Sequence, residues 1–233
     1  MVTTDDTVKI ARVLRALEDE VGKPEHDVSG DPVGEIVATI LSQNTTSANS
    51  RKAYADLIEA FPTWARVRDA SHDEVMQVIR SAGLAETKTS TILNVLGALP
   101  APDGQPSLDQ LNDMDDDDAT AHLVAFNGVG VKTATCVLVF ALGRDVCPVD
   151  THVHRVANRL GFVDTKTPDR TYSALRTVLP DGKAYDAHVL LVRFGRTVCK
   201  ARSPVCNLCP IFDDCAYEER HAAAEAHSRR AGA

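Results

Sequence analysis

A pair of glycines, one lysine and one aspartate are the first residues whose types and spacing suggest chemistry. Phe126-Asn127-Gly128-Val129-Gly130-Val131-Lys132-Thr133-Ala134 joins two apolar runs, residues 121–126 and 136–142. Glycine tolerates positive φ and puts no Cβ between a backbone and its ligand. Free N–H groups at the start of a helix form an anion site. Helix, Gly-Val-Gly turn and helix therefore read as a clamp for one phosphate, with Gly128 and Gly130 in the turn and Lys132 in the first turn beyond it. Taken alone, a Gly-x-Gly turn between helices is more often only a turn, and a lysine there is usually solvated. Asp150, in Val149-Asp150-Thr151-His152, follows 18 residues later. By itself it reads most simply as a helix N-cap; beside a lysine it also reads as an electrostatic partner.

The second constellation is Cys199, Cys206, Cys209 and Cys215, spaced C-x6-C-x2-C-x5-C. Four thiolates within 17 residues can converge on one centre. Zinc and a [4Fe–4S] cluster both accept four cysteines. On spacing alone zinc is favoured, because four-cysteine zinc sites are common. Either would staple a loop with little core of its own and hold Lys200 and Arg202 outward. Cys136 reads as a small core residue, Cys147 has no assignment, and His152 and His154 read as packed or solvated rather than metal-bound.

Helical periodicity supplies the elements that must position these groups. Apolar residues at Ile10, Val13, Leu14 and Leu17 mark a helix over 8–21. A second apolar helix, 33–41, runs into Ser42-Gln43-Asn44-Thr45-Thr46, either a plain loop or one that touches a ligand. Further helices are expected over 49–61, 86–99, 119–126, 132–142, 151–160, 168–179 and 185–199, with a short stretch at 107–114. Ser71-His72-Asp73-Glu74 is a capping box that opens a helix to Ala82, with Gly83 as its stop. Residues 221–233 read as a frayed, alanine-rich tail. No period-2 strand stands out, so the fold class is all-α, in two helical domains: 25–144, and 1–24 with 145–233.

Composition bounds the partners. The longest apolar run, 136–142, is too short to span a bilayer. The first residues lack a basic and apolar leader, which points to the cytoplasm. Structural disulfides are rare there, so six cysteines favour a metal or cluster. The net charge of −8 argues against nucleic acid, but its distribution does not. Asp113 and Asp115 to Asp118 concentrate acid, whereas 119–144 and 187–212 contain no Asp or Glu, and the second window carries Arg193, Arg196, Lys200 and Arg202.

The glycine hairpin, the Val149-Asp150-Thr151-His152-Val153-His154-Arg155-Val156 segment and the cysteine spacing together resemble the endonuclease III family of helix-hairpin-helix (HhH-GPD) DNA glycosylases. The resemblance spans roughly residues 35–217. It implies a [4Fe–4S] cluster on Cys199, Cys206, Cys209 and Cys215, in place of zinc. It implies that Lys132 attacks the sugar, that Asp150 is the active-site aspartate and that Gly128 and Gly130 form the DNA-binding hairpin. Leu84, in Gly83-Leu84-Ala85-Glu86, corresponds to an apolar wedge that enters the duplex. Gln43 or Asn44 fills the gap left by the flipped base; a gapless match puts Asn44 at that position, with Gln43 just before it. Asn127 stands where the family usually has proline, and Val131 where it usually has a basic residue, which bears on substrate range and DNA affinity.

The implied function is a bifunctional DNA glycosylase and AP lyase that removes oxidised pyrimidines in base excision repair. Its partner is double-stranded DNA with a damaged base or abasic site, bound by a monomer, with no membrane. The nucleotide must rotate out of the stack, at least cost when damaged. Lys132 must present an uncharged amine, which burial and the positive end of its helix favour. Hairpin N–H groups, Lys200 and Arg202 hold phosphates without reading sequence. The alternatives are a mismatch-specific or uracil/thymine glycosylase of the same fold, and a non-catalytic helix-hairpin-helix binding module. A monofunctional glycosylase lacks the lysine, and a binding module needs neither Asp150 nor a wedge.

Overall fold

The computed structural model describes residues 4–231. Residues 1–3, part of the segment read above for a leader, and the last two residues of the tail lie outside them. Among the described residues there is no strand. The helices are α1 (Thr4–Val21), α2 (Pro32–Ser42), α3 (Ser47–Ala60), α4 (Trp64–Asp69), α5 (His72–Val78), α6 (Ala85–Ala98), α7 (Asp116–Val124), α8 (Val131–Cys136), α9 (Thr151–Leu160), α10 (Pro168–Val178), α11 (Ala184–Thr197) and α12 (Arg220–Ala231). Short 3-10 turns occupy Arg80–Ala82, Asp109–Asp113 and Cys206–Leu208, and a π-helical turn Val137–Ala141 continues α8. None of these helices is long and apolar enough to cross a membrane. The chain divides into two compact units, Asp27–Arg144 and Met1–His26 with Asp145–Ala233.

The Asp27–Arg144 unit is built around α2. Asp31 starts this helix by accepting from Gly34 N at 2.8 Å, and Pro32 occupies its first turn. Val33, Ile36, Val37, Ile40 and Leu41 are all buried, so α2 is apolar on nearly every side and takes the centre, against α3, α6 and α8. Each such side chain contributes about 1.5–3 kcal/mol on burial. Thr46, Thr63 and Asp115 cap α3, α4 and α7, and the Ser71–Glu74 capping box forms as its sequence predicts.

Two elements depart from the periodicity. The helix expected to run to Ala82 ends at Val78 and tightens into a 3-10 turn, which aims Gly83 and Leu84 differently from a continued helix. α4 was not expected; its signal is Thr63 after Pro62, a cap before a one-and-a-half-turn helix too short for a period. The short helical stretch expected over 107–114 is present as a 3-10 helix, Asp109–Asp113.

In the other unit α11 packs on α1 and α9, and α9 on α10. Ile10, Val13, Leu14 and Leu17 of α1 are buried, as are Val153, Val156, Leu160, Leu190, Leu191 and Phe194. Asp145 holds the entry to α11, accepting from Gly182 N at 2.6 Å and Ala184 N at 3.0 Å. The tail is not frayed through its described length: α12 packs on the Cys206–Leu208 turn, and His221 stands edge-on to Phe212 with ring centroids 5.0 Å apart. Alanine-rich sequence carries no periodic signal, so this docking is legible only in three dimensions.

Candidate DNA-processing site

The hairpin lies between α7 and α8, in the Asp27–Arg144 unit. Its two glycines do different things. Gly128 has φ 86°, and a Cβ there would stand 2.7 Å from Thr91 Cγ2, so conformation and space both demand glycine. Gly130 has φ −98°, an ordinary extended value, and a Cβ there would meet nothing within 4 Å. Its missing side chain leaves the mouth of α8 open to a ligand. Val129 between them is buried and anchors the turn, and its N–H donates to Phe126 O at 3.1 Å. Lys132 follows in the first turn of α8, partly exposed.

Two loops of the same unit carry left-handed residues. Asn44, after α2, has φ 50°, and Leu84, before α6, has φ 51°. A non-glycine residue there costs roughly 1–3 kcal/mol and persists where its surroundings hold it. Leu84 is 59% exposed, a leucine held in solvent by its backbone. Gln43 and Asn44 are not equivalent: Gln43 Nε2 donates to Thr133 Oγ1 at 3.4 Å, beside Lys132, whereas Asn44 is exposed.

The sequence reading missed Glu35 on α2. It is the sole carboxyl among that helix's residues, and burial raises its pKa from 4.5 to about 7. Asp31 adds to the rise, while the hydroxyl of Thr39, donating at 3.1 Å, and the nearby charge of Lys132 oppose it. The charge of Lys132 thus reaches a carboxyl that its surroundings otherwise keep protonated. The signal was available: one acid in an otherwise apolar run.

Asp150 belongs to the other unit. It caps α9 through a single oxygen, Oδ1, which accepts from His152 N and Val153 N at 2.8 Å each. Oδ2 takes no part in these two bonds. His154 bonds Thr171 Oγ1 at 2.7 Å, and His152 lies 3.2 Å from Arg155, so both histidines are in packing roles.

All four clustered cysteines are free thiols and line one cavity, with Arg159, Phe194, Tyr217 and Arg220 among its walls. Among the described residues no three His, Cys, Asp or Glu side chains are grouped to hold a metal ion. The donor set nevertheless suits thiolate ligands. Arg159 Nη1 points at Cys199 Sγ at 3.5 Å, Tyr217 N–H at Cys215 Sγ at 3.5 Å, and the Ile211 backbone bonds Cys209. N–H donors aimed at sulfur favour its anionic, metal-ligating form. Without a cation, burial pushes Cys209 up to about 11 and raises Cys206 and Cys215; a bound cation inverts that balance. Arg159 also donates to Lys200 O at 2.8 Å and Ala201 O at 3.3 Å, fixing the loop that exposes Lys200 and Arg202. This second restraint on the loop was not foreseen. Cys136 and Cys147 are buried and do not line the cavity.

Residues 37–181 match the family model of the HhH-GPD superfamily base excision DNA repair proteins. Over 206 residues the chain is 32% identical to endonuclease III of Thermotoga maritima, covering 88% of this chain and 92% of that one. It is also 32% identical to endonuclease III of Escherichia coli K12, over 91% of this chain and 97% of the other. Among solved structures, a trapped endonuclease III–DNA covalent intermediate superimposes with a TM-score of 0.76 at 29% identity, over 95% of this chain and 99% of that one.

Proposed function

Since this chain belongs to the HhH-GPD superfamily of base excision DNA repair proteins, we propose that it is a bifunctional DNA glycosylase and AP lyase acting on oxidised pyrimidines in double-stranded DNA. The observation that carries the lyase half is Lys132, an amine in the first turn beyond a hairpin that Gly128 closes at positive φ, close against Thr91. The hairpin N–H groups hold one phosphate beside the lesion, and the open position at Gly130 lets the DNA backbone approach them. Leu84 enters the stack as a wedge. Asn44 fills the vacated space, since it is exposed while Gln43 is engaged with Thr133. Lys200 and Arg202 hold further phosphates.

The flipped nucleotide then meets Lys132. Its uncharged Nζ attacks C1′, the glycosidic bond breaks, and the base leaves with the bonding electrons. Loss of the amine proton and ring opening leave a Schiff base. Removal of a C2′ proton then expels the 3′ phosphate by β-elimination, and hydrolysis frees the lysine. Asp150 stabilises the cationic sugar through the oxygen its cap does not use, and helps move protons.

Cys199, Cys206, Cys209 and Cys215 hold a [4Fe–4S] cluster in this reading, supported by four free thiols on one cavity and N–H donors directed at their sulfurs. The cluster supplies a rigid staple for the loop and takes no part in the bond-making steps. The protein works as a monomer in the cytoplasm, on DNA.

Trapping tests the reading. Borohydride added during reaction with a thymine-glycol duplex should fix a covalent protein–DNA adduct, absent in Lys132→Ala. Asp150→Asn should bind DNA and fold normally, because asparagine caps as well. Its base release should fall by about 10²-fold or more. Normal activity in Asp150→Asn would reduce Asp150 to a cap, and an adduct surviving in Lys132→Ala would assign the chemistry to another amine. Activity on a thymine or uracil mismatch but not on thymine glycol would move the chain to the alternative substrate class.

A further inference from the structure

Lys88, on α6, is a buried lysine, 3% exposed. Its ammonium donates to Leu41 O at 2.8 Å and to Ala82 O at 2.9 Å. Both acceptors are main-chain carbonyls at the C-terminal ends of helical segments, α2 and the Arg80–Ala82 turn, where carbonyls lack helical partners and a cation is favoured. Three residues beyond the first carbonyl stands Asn44; two beyond the second stands Leu84. These are two of the three non-glycine residues with positive φ among the described residues. The backbone N–H of Lys88 also donates to Leu84 O at 3.0 Å, so this residue brackets Leu84 from both sides.

A plain core position would be served by leucine or methionine, since burying an ammonium costs free energy that two neutral carbonyls offset only in part. The elements flanking the two loops already pack on one another, and what the lysine adds is a direct hydrogen-bonded link between the loops themselves. We propose that Lys88 is a positioning residue that locks the Asn44 loop and the Leu84 loop together, so that gap-filler and wedge enter the duplex as one unit. This rests on the reading of Asn44 and Leu84 as the residues that enter the duplex.

The test uses the full chain with Lys88→Met, which keeps the stem and loses the donors. Lys88→Gln, with two N–H donors and no charge, serves if the first variant does not fold. Hydrogen exchange on the free protein addresses the clamp without DNA: residues 42–46 and 80–85 should lose protection together, with the rest of their unit unchanged. On DNA, 2-aminopurine opposite a thymine glycol reports insertion, and nicking of a single-stranded abasic oligonucleotide reports the lysine chemistry without it. Base release from the duplex should fall about tenfold more than single-strand nicking, with loss of the 2-aminopurine signal. Ile92→Val, a core change on the same helix, should leave the ratio unmoved. The proposal is overturned if only one loop loses protection, if protection falls uniformly, or if Ile92→Val shifts the ratio equally. A native insertion signal in the Lys88 variant, well below its melting temperature, overturns it as well. Leu84→Ala and Asn44→Ala locate a failure: if both keep the native signal, the insertion reading falls and the proposal with it. If both lose the signal while the Lys88 variant keeps it, only the clamp is wrong.

Discussion

Glu35 shows how one half-buried side chain links sequence to pH behaviour. Its folded pKa of about 7 lies above the ordinary 4.5. Between those values the folded chain binds a proton that the unfolded chain has released, so stability falls as pH rises through that window and is lowest above it. The full shift corresponds to at most roughly 3 kcal/mol. Asp31, Tyr54 and Lys132 are the titratable neighbours that the packing brings near it, and only Lys132 favours ionisation. Glu35→Gln keeps an acceptor for the Thr39 hydroxyl and cannot ionise. It should therefore be more stable than the native chain at pH 8 and no more stable at pH 4.5, as measured by urea unfolding at both. Equal stabilisation at both values would mean that ionisation of Glu35 has no part in it.

At the scale of the element, the hairpin is where backbone geometry and ligand approach separate. Gly128→Ala must adopt positive φ and push against Thr91, whose own hydroxyl is tied to Thr87 O at 3.0 Å. The expected loss is roughly 2–4 kcal/mol, combining left-handed strain with overpacking. Thr91→Ala in the same chain should recover only the packing part. Gly130→Ala meets neither obstacle and should unfold at nearly the native denaturant midpoint, while the proposed phosphate clamp predicts weaker binding of abasic duplex. Native DNA affinity in Gly130→Ala would place the phosphate elsewhere. The spacing of the two glycines was legible in sequence. The division of labour was not, because φ and the nearness of Thr91, 37 residues upstream, are set by how α6 packs.

At the scale of the whole molecule, the formal charge of −8 and a DNA partner are reconciled by segregation rather than balance. Screening confines each charge to about 10 Å at 0.1 M salt, so a phosphate responds to the local face and not to the total. Lys200 and Arg202 are exposed on a loop free of acids. Lys200→Ala and Arg202→Ala should each lower the log–log salt slope of DNA affinity by about one unit, measured by titration at several salt concentrations. Unchanged slopes in both variants would assign the phosphate contacts to other residues.

The sequence by itself determined what is local or repeated. Caps such as Asp31, Ser71, Asp150 and Thr167 start helices through bonds spanning two to three residues, and apolar periodicity marks the faces to be buried. The hairpin, the cysteine spacing and the family follow from residues close together in the chain. Tertiary structure decided what depends on residues far apart. It alone set the pKa of Glu35 through burial and Lys132, 97 positions away. It alone joined Lys88 to Leu41 O, aimed Arg159 at the cysteine loop and docked α12 on the Cys206–Leu208 turn. The physical reason is the same in each case. A helix propensity or a cap is a property of a few consecutive residues, whereas desolvation and long-range hydrogen bonds exist only once the chain has closed on itself.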